Sequence, residues 1–331
     1  MKKILITGAS GFIGSFLVEE AIKQNYKVYA GIRNTSKLTY LKDNRIQFFK
    51  ADLADKEAIK SNLTKFGKFD FIIHNAGVTK SCNKRDFIKV NYQYTRNLIE
   101  ALYETTTIPQ KFILISSLAA FGPGDEKTLK PINHTDTPHP VSYYGKSKLK
   151  TEMYIKSLIG FPNLIFRPTG VYGPREKDYY VMYKSIKSGI ETYINTSDQH
   201  ISFIYIKDLS RLIIDSLSSN ITGKSYFVSD LDKYTASEFN QLIKMKLNKK
   251  TIAFTFPGFL VRMLAFINEK LSCLFFGKTP TLNTEKYKEI SKRNWLCDSS
   301  ALVKDFNFRP EYNLWKGLDE TIKWYEKENL L

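Results

Sequence analysis

The stretch Thr7-Gly8-Ala9-Ser10-Gly11-Phe12-Ile13-Gly14 lies directly behind the apolar run Ile4-Leu5-Ile6. An apolar strand breaks there at a glycine-rich turn, and Phe12, Ile13, Phe16, Leu17, Ala21 and Ile22 then recur at helical spacing. Strand, glycine turn and helix in that order make a dinucleotide-binding unit. Gly8 permits the tight turn, Gly11 lets backbone approach a pyrophosphate, and Gly14 lets helix and strand pack closely. The diphosphate would rest at Phe12 and Ile13, where unpaired N–H groups and the helix dipole favour an anion.

Strands and helices then alternate. Apolar runs at Lys27–Ile32, 46–49, 69–73, Lys111–Ile115 and 164–166 read as strands, with an amphipathic helix over 86–103. This predicts an α/β protein, a Rossmann-type doubly wound parallel sheet. Beyond Pro174 the alternation loosens. Residues 203–206 and 207–217 read as a further strand and helix of the main sheet. The expected division is a dinucleotide-binding domain over 1–174, to which 199–231 return, and a smaller interleaved C-terminal substrate lobe from 175–198 and 232–331.

Residues at strand ends carry the cofactor reading. Arg33 follows the second strand, with Lys37 one helical turn on and no carboxylate nearby in sequence. An arginine there accommodates the 2′-phosphate of NADP, where an acid would bond the ribose of NAD. NADP is therefore expected, with NAD as the alternative; a solvated basic loop is the plainer reading of the same residues. Asp52 and Leu53 end the third strand, either against adenine or as the start of a helix cap. Asn75, Ala76 and Gly77 are small residues suited to backbone passing close to a cofactor, and His74 before them stands alone as a structural histidine.

Tyr144 and Lys148 lie four apart on a helix and project from one face. A phenol near pKa 10 is a poor base at neutral pH, and a nearby ammonium favours its phenolate. Tyr144 then serves as acid/base, with Ser117 holding a substrate hydroxyl or carbonyl oxygen.

With these motifs in order, the chain resembles the extended short-chain dehydrogenase/reductase superfamily, in the NAD(P)-dependent epimerase/dehydratase branch. The resemblance rests on Thr7 to Gly14, Asp52-Leu53, His74 to Gly77, Ser116-Ser117, Tyr144 to Lys148, and Arg167-Pro168 through Tyr172-Gly173-Pro174. It implies Ser117, Tyr144 and Lys148 as catalytic residues and Asn91 as the asparagine supporting them. It also places Lys148 on the nicotinamide ribose and Pro168, Thr169 and Val171 beside the nicotinamide. Sugar 4,6-dehydratases of the branch carry an Asp-Glu pair after the catalytic hydroxyl; here stand Leu118 and Ala119. Many nucleotide-sugar epimerases carry an arginine before the strand at 203–205; here stand Ile201-Ser202, leaving Arg175 or Lys207 as substitutes. The expected function is hydride transfer at a secondary alcohol or ketone. A nucleotide-sugar epimerase with tightly bound NAD(P) and a non-catalytic cofactor binder are the alternatives.

Composition adds limits. The chain has 331 residues, three cysteines without a C-x-x-C pair, and four scattered histidines. A disulfide framework and a metal site are therefore not expected, and a reducing cytoplasm is. The net charge of +17 is spread over the whole chain without an aromatic-basic motif, which suits a phosphorylated ligand and not nucleic acid. Met1-Lys2-Lys3 leads straight into a strand, so no signal peptide is read. The greasy stretch 254–276 is broken by Arg262, Asn268, Glu269 and Lys270, which argues against a membrane span. Burial in the core or an interface, an apolar pocket wall, or a surface-lying helix are the readings left. A homodimer paired through helices around 86–103 and 143–158 is expected from the resemblance.

Overall fold

A computed structural model describes residues 1–195 and 198–331. Residues 196 and 197, inside the segment 175–198 assigned to the smaller lobe, lie outside the described residues. Contacts divide the chain into two compact units. The first comprises Met1–Ala120, Tyr143–Arg167 and Leu209–Tyr226; the second comprises Phe121–Ser142, Pro168–Asp208 and Phe227–Leu331. The sequence reading keeps 121–142 with the first. Its backbone explains the difference: Ile132 N–H donates to Leu296 C=O and Asp298 N–H to Ile132 C=O, tying the segment to the C-terminal region.

The first unit is built on a seven-stranded sheet. In chain order its strands are β1 (Lys3–Thr7), β2 (Lys27–Ile32), β3 (Gln47–Lys50), β4 (Phe71–His74), β5 (Lys111–Ile115), β6 (Asn163–Pro168) and then Lys224–Val228. Across the sheet they run Lys224–Val228, β6, β5, β4, β1, β2, β3. Parallel pairing joins β1 to β2 and β4, β2 to β3, and β5 to β4 and β6. The strand order therefore reverses between β1 and β4, the place where doubly wound sheets open a crevice. Central strands are buried at almost every residue, because helices cover both faces. Leu5, Phe49, Phe69, Ile72, Leu98 and Phe112 belong to one apolar cluster of this packing.

Two sequence expectations change here. The seventh strand is Lys224–Val228, not 203–206. Phe203–Tyr205 is a buried strand, as its apolar run predicts, but it pairs in parallel with Gly170–Tyr172 in a separate two-stranded sheet. The helix expected over 86–103 is interrupted as well: Arg85–Ile88 and Tyr94–Glu104 are α-helical, and Lys89–Gln93 between them is a π-turn.

Among the described residues the second unit carries three small sheets. Besides the pair just named, His200–Ile201 lies between Tyr234–Thr235 and Asn294–Trp295, and Ile190–Ile194 pairs with Ile252–Phe256. The greasy stretch becomes the strand Ile252–Phe256 and the helix Gly258–Phe276, and only Val261 and Ala265 of that helix are buried. It is therefore not the core element that was one reading of it. No helix among the described residues is long and apolar enough to cross a membrane. Cys297 is buried and free.

Candidate active site

The glycine turn follows β1 as its spacing demands. Gly8 has φ +65, and a Cβ on it would come within 2.8 Å of the Ala76 backbone. A Cβ on Gly14 would meet the Gly8 carbonyl oxygen at 2.1 Å, so only glycine lets the helix α1 (Phe12–Lys23) press this closely on the loop. Gly11 is exposed and is the N-cap of α1, with no side chain capping the helix and no acid in its first turn. Phe12, Ile13 and Gly14 thus open a helix whose first N–H groups are left for an anion.

Asn75, Ala76 and Gly77 follow β4 beside this loop. The Asn75 amide lies 3.4 Å from the Gly8 carbonyl oxygen, and Ala76 N–H donates to Thr7 Oγ1 at 3.2 Å. A Cβ on Gly77 would stand 2.8 Å from Asn91 Oδ1 and 3.5 Å from Lys148 Nζ. Glycine here keeps open the space before these two side chains. Arg33 is exposed after β2, its backbone closing a turn with Ser36, and Lys37 is exposed beyond it. No helix follows Arg33, so Lys37 is not a helical turn away, as its spacing had suggested. Asp52 is exposed and accepts from Ala54 N–H; the cap of the next helix, α2 (Lys56–Phe66), is Asp55 instead. Leu53 is half-buried beside it.

The acid/base residues stand on the helix Tyr143–Ser157. Lys148 is buried and its Nζ donates to the Ile115 carbonyl at the end of β5, at 2.8 Å, and lies 6.0 Å from the Tyr144 ring centre. Burial pulls the Lys148 ammonium down to about 8, with the Glu152 carboxylate pulling the other way. Tyr144 is half-buried. Ser117 follows β5, and the turn Leu118–Ala120 after it packs on the same helix. Ser117 Oγ accepts from Ala119 N–H at 3.1 Å, which leaves its O–H to donate. Leu118 and Ala119 are buried, so these positions offer no acid or base.

Asn91 sits in the π-turn, where the widened backbone commonly marks a functional position. Its amide accepts from Val78 N–H at 2.8 Å and donates to Val78 C=O and Ser147 Oγ at 3.0 and 2.9 Å. Its carbonyl accepts from Thr95 and Thr151 hydroxyls. Pro168, Thr169 and Val171 belong to the second unit: Thr169 bonds Val228 C=O, and Val171 pairs with Ile204.

The sequence reading missed two buried polar systems. In one, His74 Nδ1 lies 2.9 Å from Thr7 Oγ1 and Nε2 lies 2.8 Å from Thr95 Oγ1. Thr95 spends its proton on Asn91 C=O, so Nε2 carries the hydrogen and Thr7 donates to Nδ1. Burial first, then the Lys148 charge, hold His74 down to about 3, so it stays neutral. The histidine is structural, as expected, yet it links the glycine loop to the asparagine turn. In the other, Arg167 grips Glu152 through two nitrogens at 2.6–3.0 Å and Ser116 Oγ donates to Glu152 at 2.5 Å, all three buried. A carboxylate one turn after Lys148 was the available sequence signal. Among the described residues no group of side chains has the makings of a metal site.

A family model described as NAD dependent epimerase/dehydratase family matches residues 4–228. The chain belongs to this family. Over 353 residues, covering 97% of it and 98% of the relative, it is 26% identical to the 3 beta-hydroxysteroid dehydrogenase/Delta 5-->4-isomerase of Vaccinia virus (strain Western Reserve). It is 24% identical to the human dTDP-D-glucose 4,6-dehydratase, covering 98% of this chain and 90% of that one. Among solved structures, UDP-glucose 4-epimerase of Thermotoga maritima with UDP-glucose superposes with TM-score 0.80 at 20% identity over 99% of each chain. The UDP-glucose 4-epimerase of Thermus thermophilus, in complex with NAD, gives 0.78 at 20% identity over 98% and 99%. The structures show the shared Rossmann-type fold; the family makes the chain a nicotinamide-nucleotide enzyme.

Proposed function

We propose that this family member is an NADP(H)-dependent oxidoreductase that transfers hydride at a secondary alcohol or ketone, with Tyr144 as acid/base. The observation that carries the reading is the pair Tyr144 and Lys148, one helical turn apart, with the lysine buried on the Ile115 carbonyl and Ser117 at the end of the same strand. The residues suit the cofactor: a Cβ would fill the cradle at Gly8 and Gly14, and the first turn of α1 holds no competing acid. Gly8, Gly11, Phe12, Ile13 and Gly14 would hold the diphosphate, Asp52 and Leu53 the adenine, and Asn75 to Gly77 the backbone edge. Pro168, Thr169 and Val171 would take the nicotinamide side. Arg33, exposed and with no carboxylate among residues 29–37, supports NADP over NAD.

Bound there, the nicotinamide supplies or accepts the hydride at the substrate carbon. Ser117 O–H donates to the substrate oxygen and fixes it. Tyr144 O–H donates to the same oxygen and gives up its proton as negative charge develops there; in the oxidation it takes that proton back. Lys148 lowers the cost of the resulting phenolate by standing close as an ammonium. Asn91, held by Val78 and Ser147, fixes the turn against which Lys148 packs.

Dehydration is disfavoured by the buried apolar pair Leu118-Ala119. Lys207, one candidate for gripping the diphosphate of a nucleotide sugar, is ion-paired with Glu320, which favours an alcohol or ketone over that substrate class. The Vaccinia relative, named for a steroid dehydrogenase, supports the same choice. We include in the proposal a homodimer through the helices Tyr94–Glu104 and Tyr143–Ser157, where Tyr103, Tyr143 and Met153 are exposed. The test is denaturing release of nucleotide from purified protein, identified by mass, beside NADPH and NADH titrations. Freely exchanging NADPH that binds more tightly than NADH is expected. Stoichiometric NAD retained through purification would replace this reading with the epimerase.

A further inference from the structure

The helix Gly258–Phe276 is amphipathic with its apolar side turned out. Three of its uncharged or acidic side chains bond neighbouring residues of the same unit: Glu269 accepts from Thr284 N–H and Oγ1–H at 2.8 and 2.6 Å, Asn268 donates to Leu282 C=O, and Ser272 donates to Lys278 C=O. Outward stand Phe259, Leu274, Phe275 and Phe276, at 70%, 77%, 70% and 73% exposure. These four alone offer water on the order of 500 Å² of apolar surface, as much as the largest patch on an ordinary monomer. Met263, Leu264, Phe266 and Ile267 continue it along the helix, and Phe254 and Phe256 are exposed on the strand before it. Such a face needs an apolar cover.

We propose that this helix seats the protein on an anionic lipid surface, lying in the headgroup layer with its phenylalanines and leucines buried in the acyl boundary. The charges select this occupant. The only acid of the helix is Glu269, which is turned to Thr284, while Arg262 and Lys270 are exposed on the helix. Lys249, Lys250 and Lys278 are exposed next to the ends of the strand-helix segment, in a chain of net charge +17. A second copy packed face to face would add the same positive charges to one seam and bring no exposed acid to offset them, because both copies present the same patch. An anionic surface neutralises them and covers the apolar side chains at once, the combination an interfacial helix requires. The helix lies on the surface and does not cross it, in keeping with its interrupting polar residues.

The test is co-sedimentation of the full chain with vesicles of phosphatidylcholine alone and of phosphatidylcholine with phosphatidylglycerol, with light scattering on the lipid-free protein. Wild type is expected to sediment with the anionic vesicles and to be released by salt. A double substitution, Leu274→Ser with Phe275→Ser, should weaken vesicle binding at least tenfold, and Arg262→Glu with Lys270→Glu should do so on the anionic vesicles. Both pairs are exposed and should leave the melting temperature and NADPH binding unchanged, which separates lost docking from lost folding. Wild type left in the supernatant with both vesicles overturns the proposal. So does a lipid-free dimer that dissociates on the Leu274→Ser/Phe275→Ser change, since a second copy then covers the helix.

Discussion

Replacing Lys148 by methionine should abolish turnover and make the protein more stable. The ammonium is buried, and burial draws it from its usual 10.5 to about 8. A displacement of that size means that holding the charge in the fold costs about 3 kcal/mol. Methionine keeps the stem without the charge. It gives up the hydrogen bond to the Ile115 carbonyl, about 1–2 kcal/mol, so the net gain at pH 7 is about 1–2 kcal/mol. The sign follows from linkage: the folded state releases this proton before the unfolded chain does. The cost is complete below pH 8, fades between pH 8 and 10.5, and is absent above. Urea unfolding of both proteins, followed by circular dichroism at pH 7 and pH 10, reads the difference directly. The variant should be the more stable at pH 7 and should lose its advantage at pH 10. A variant less stable at pH 7, or a gap that does not move with pH, would refute the buried-charge argument.

Other substitutions probe the remaining contacts. Arg33→Ala should weaken NADPH by about 1–3 kcal/mol, the worth of a charged hydrogen bond, and leave NADH nearly unchanged in parallel titrations; equal losses would remove the 2′-phosphate role. Gly14→Ala puts a Cβ 2.1 Å from the Gly8 carbonyl oxygen, so the loop must shift. Calorimetric titration should show nucleotide affinity down at least tenfold, with about 1–3 kcal/mol of stability lost to overpacking. Glu152→Gln leaves the buried Arg167 guanidinium without its counter-charge and should cost about 3–5 kcal/mol in urea unfolding, whereas an unchanged midpoint would mean Arg167 finds another partner.

The first unit was largely legible because its elements are dictated locally. β2 and β5 lie where the apolar runs put them, and Gly8 and Gly14 stand where a Cβ would collide. What was missed depends on partners distant in sequence. Phe203–Tyr205 has the pattern of a main-sheet strand, and only the pairing with Gly170–Tyr172 places it elsewhere. The π-turn around Asn91 is invisible in a helical periodicity that continues on both sides of it. The link from Thr7 through His74 to Thr95 joins residues 67 and 21 apart, each ordinary when read alone. An apolar periodicity likewise cannot say which side of a helix faces the protein, so the stretch 254–276 reads first as core or interface, with a surface-lying helix as the lesser reading.

The central claim is that Tyr144 moves the proton while nicotinamide carries the hydride. Wild type and Tyr144→Phe should be compared against a panel of ketones and secondary alcohols, following nicotinamide oxidation state, with NADPH binding measured on the same samples. The account predicts turnover in wild type, a loss of at least about a hundredfold in the variant, the scale of general acid–base catalysis, and unchanged nucleotide affinity. Equal turnover by the two proteins would contradict it.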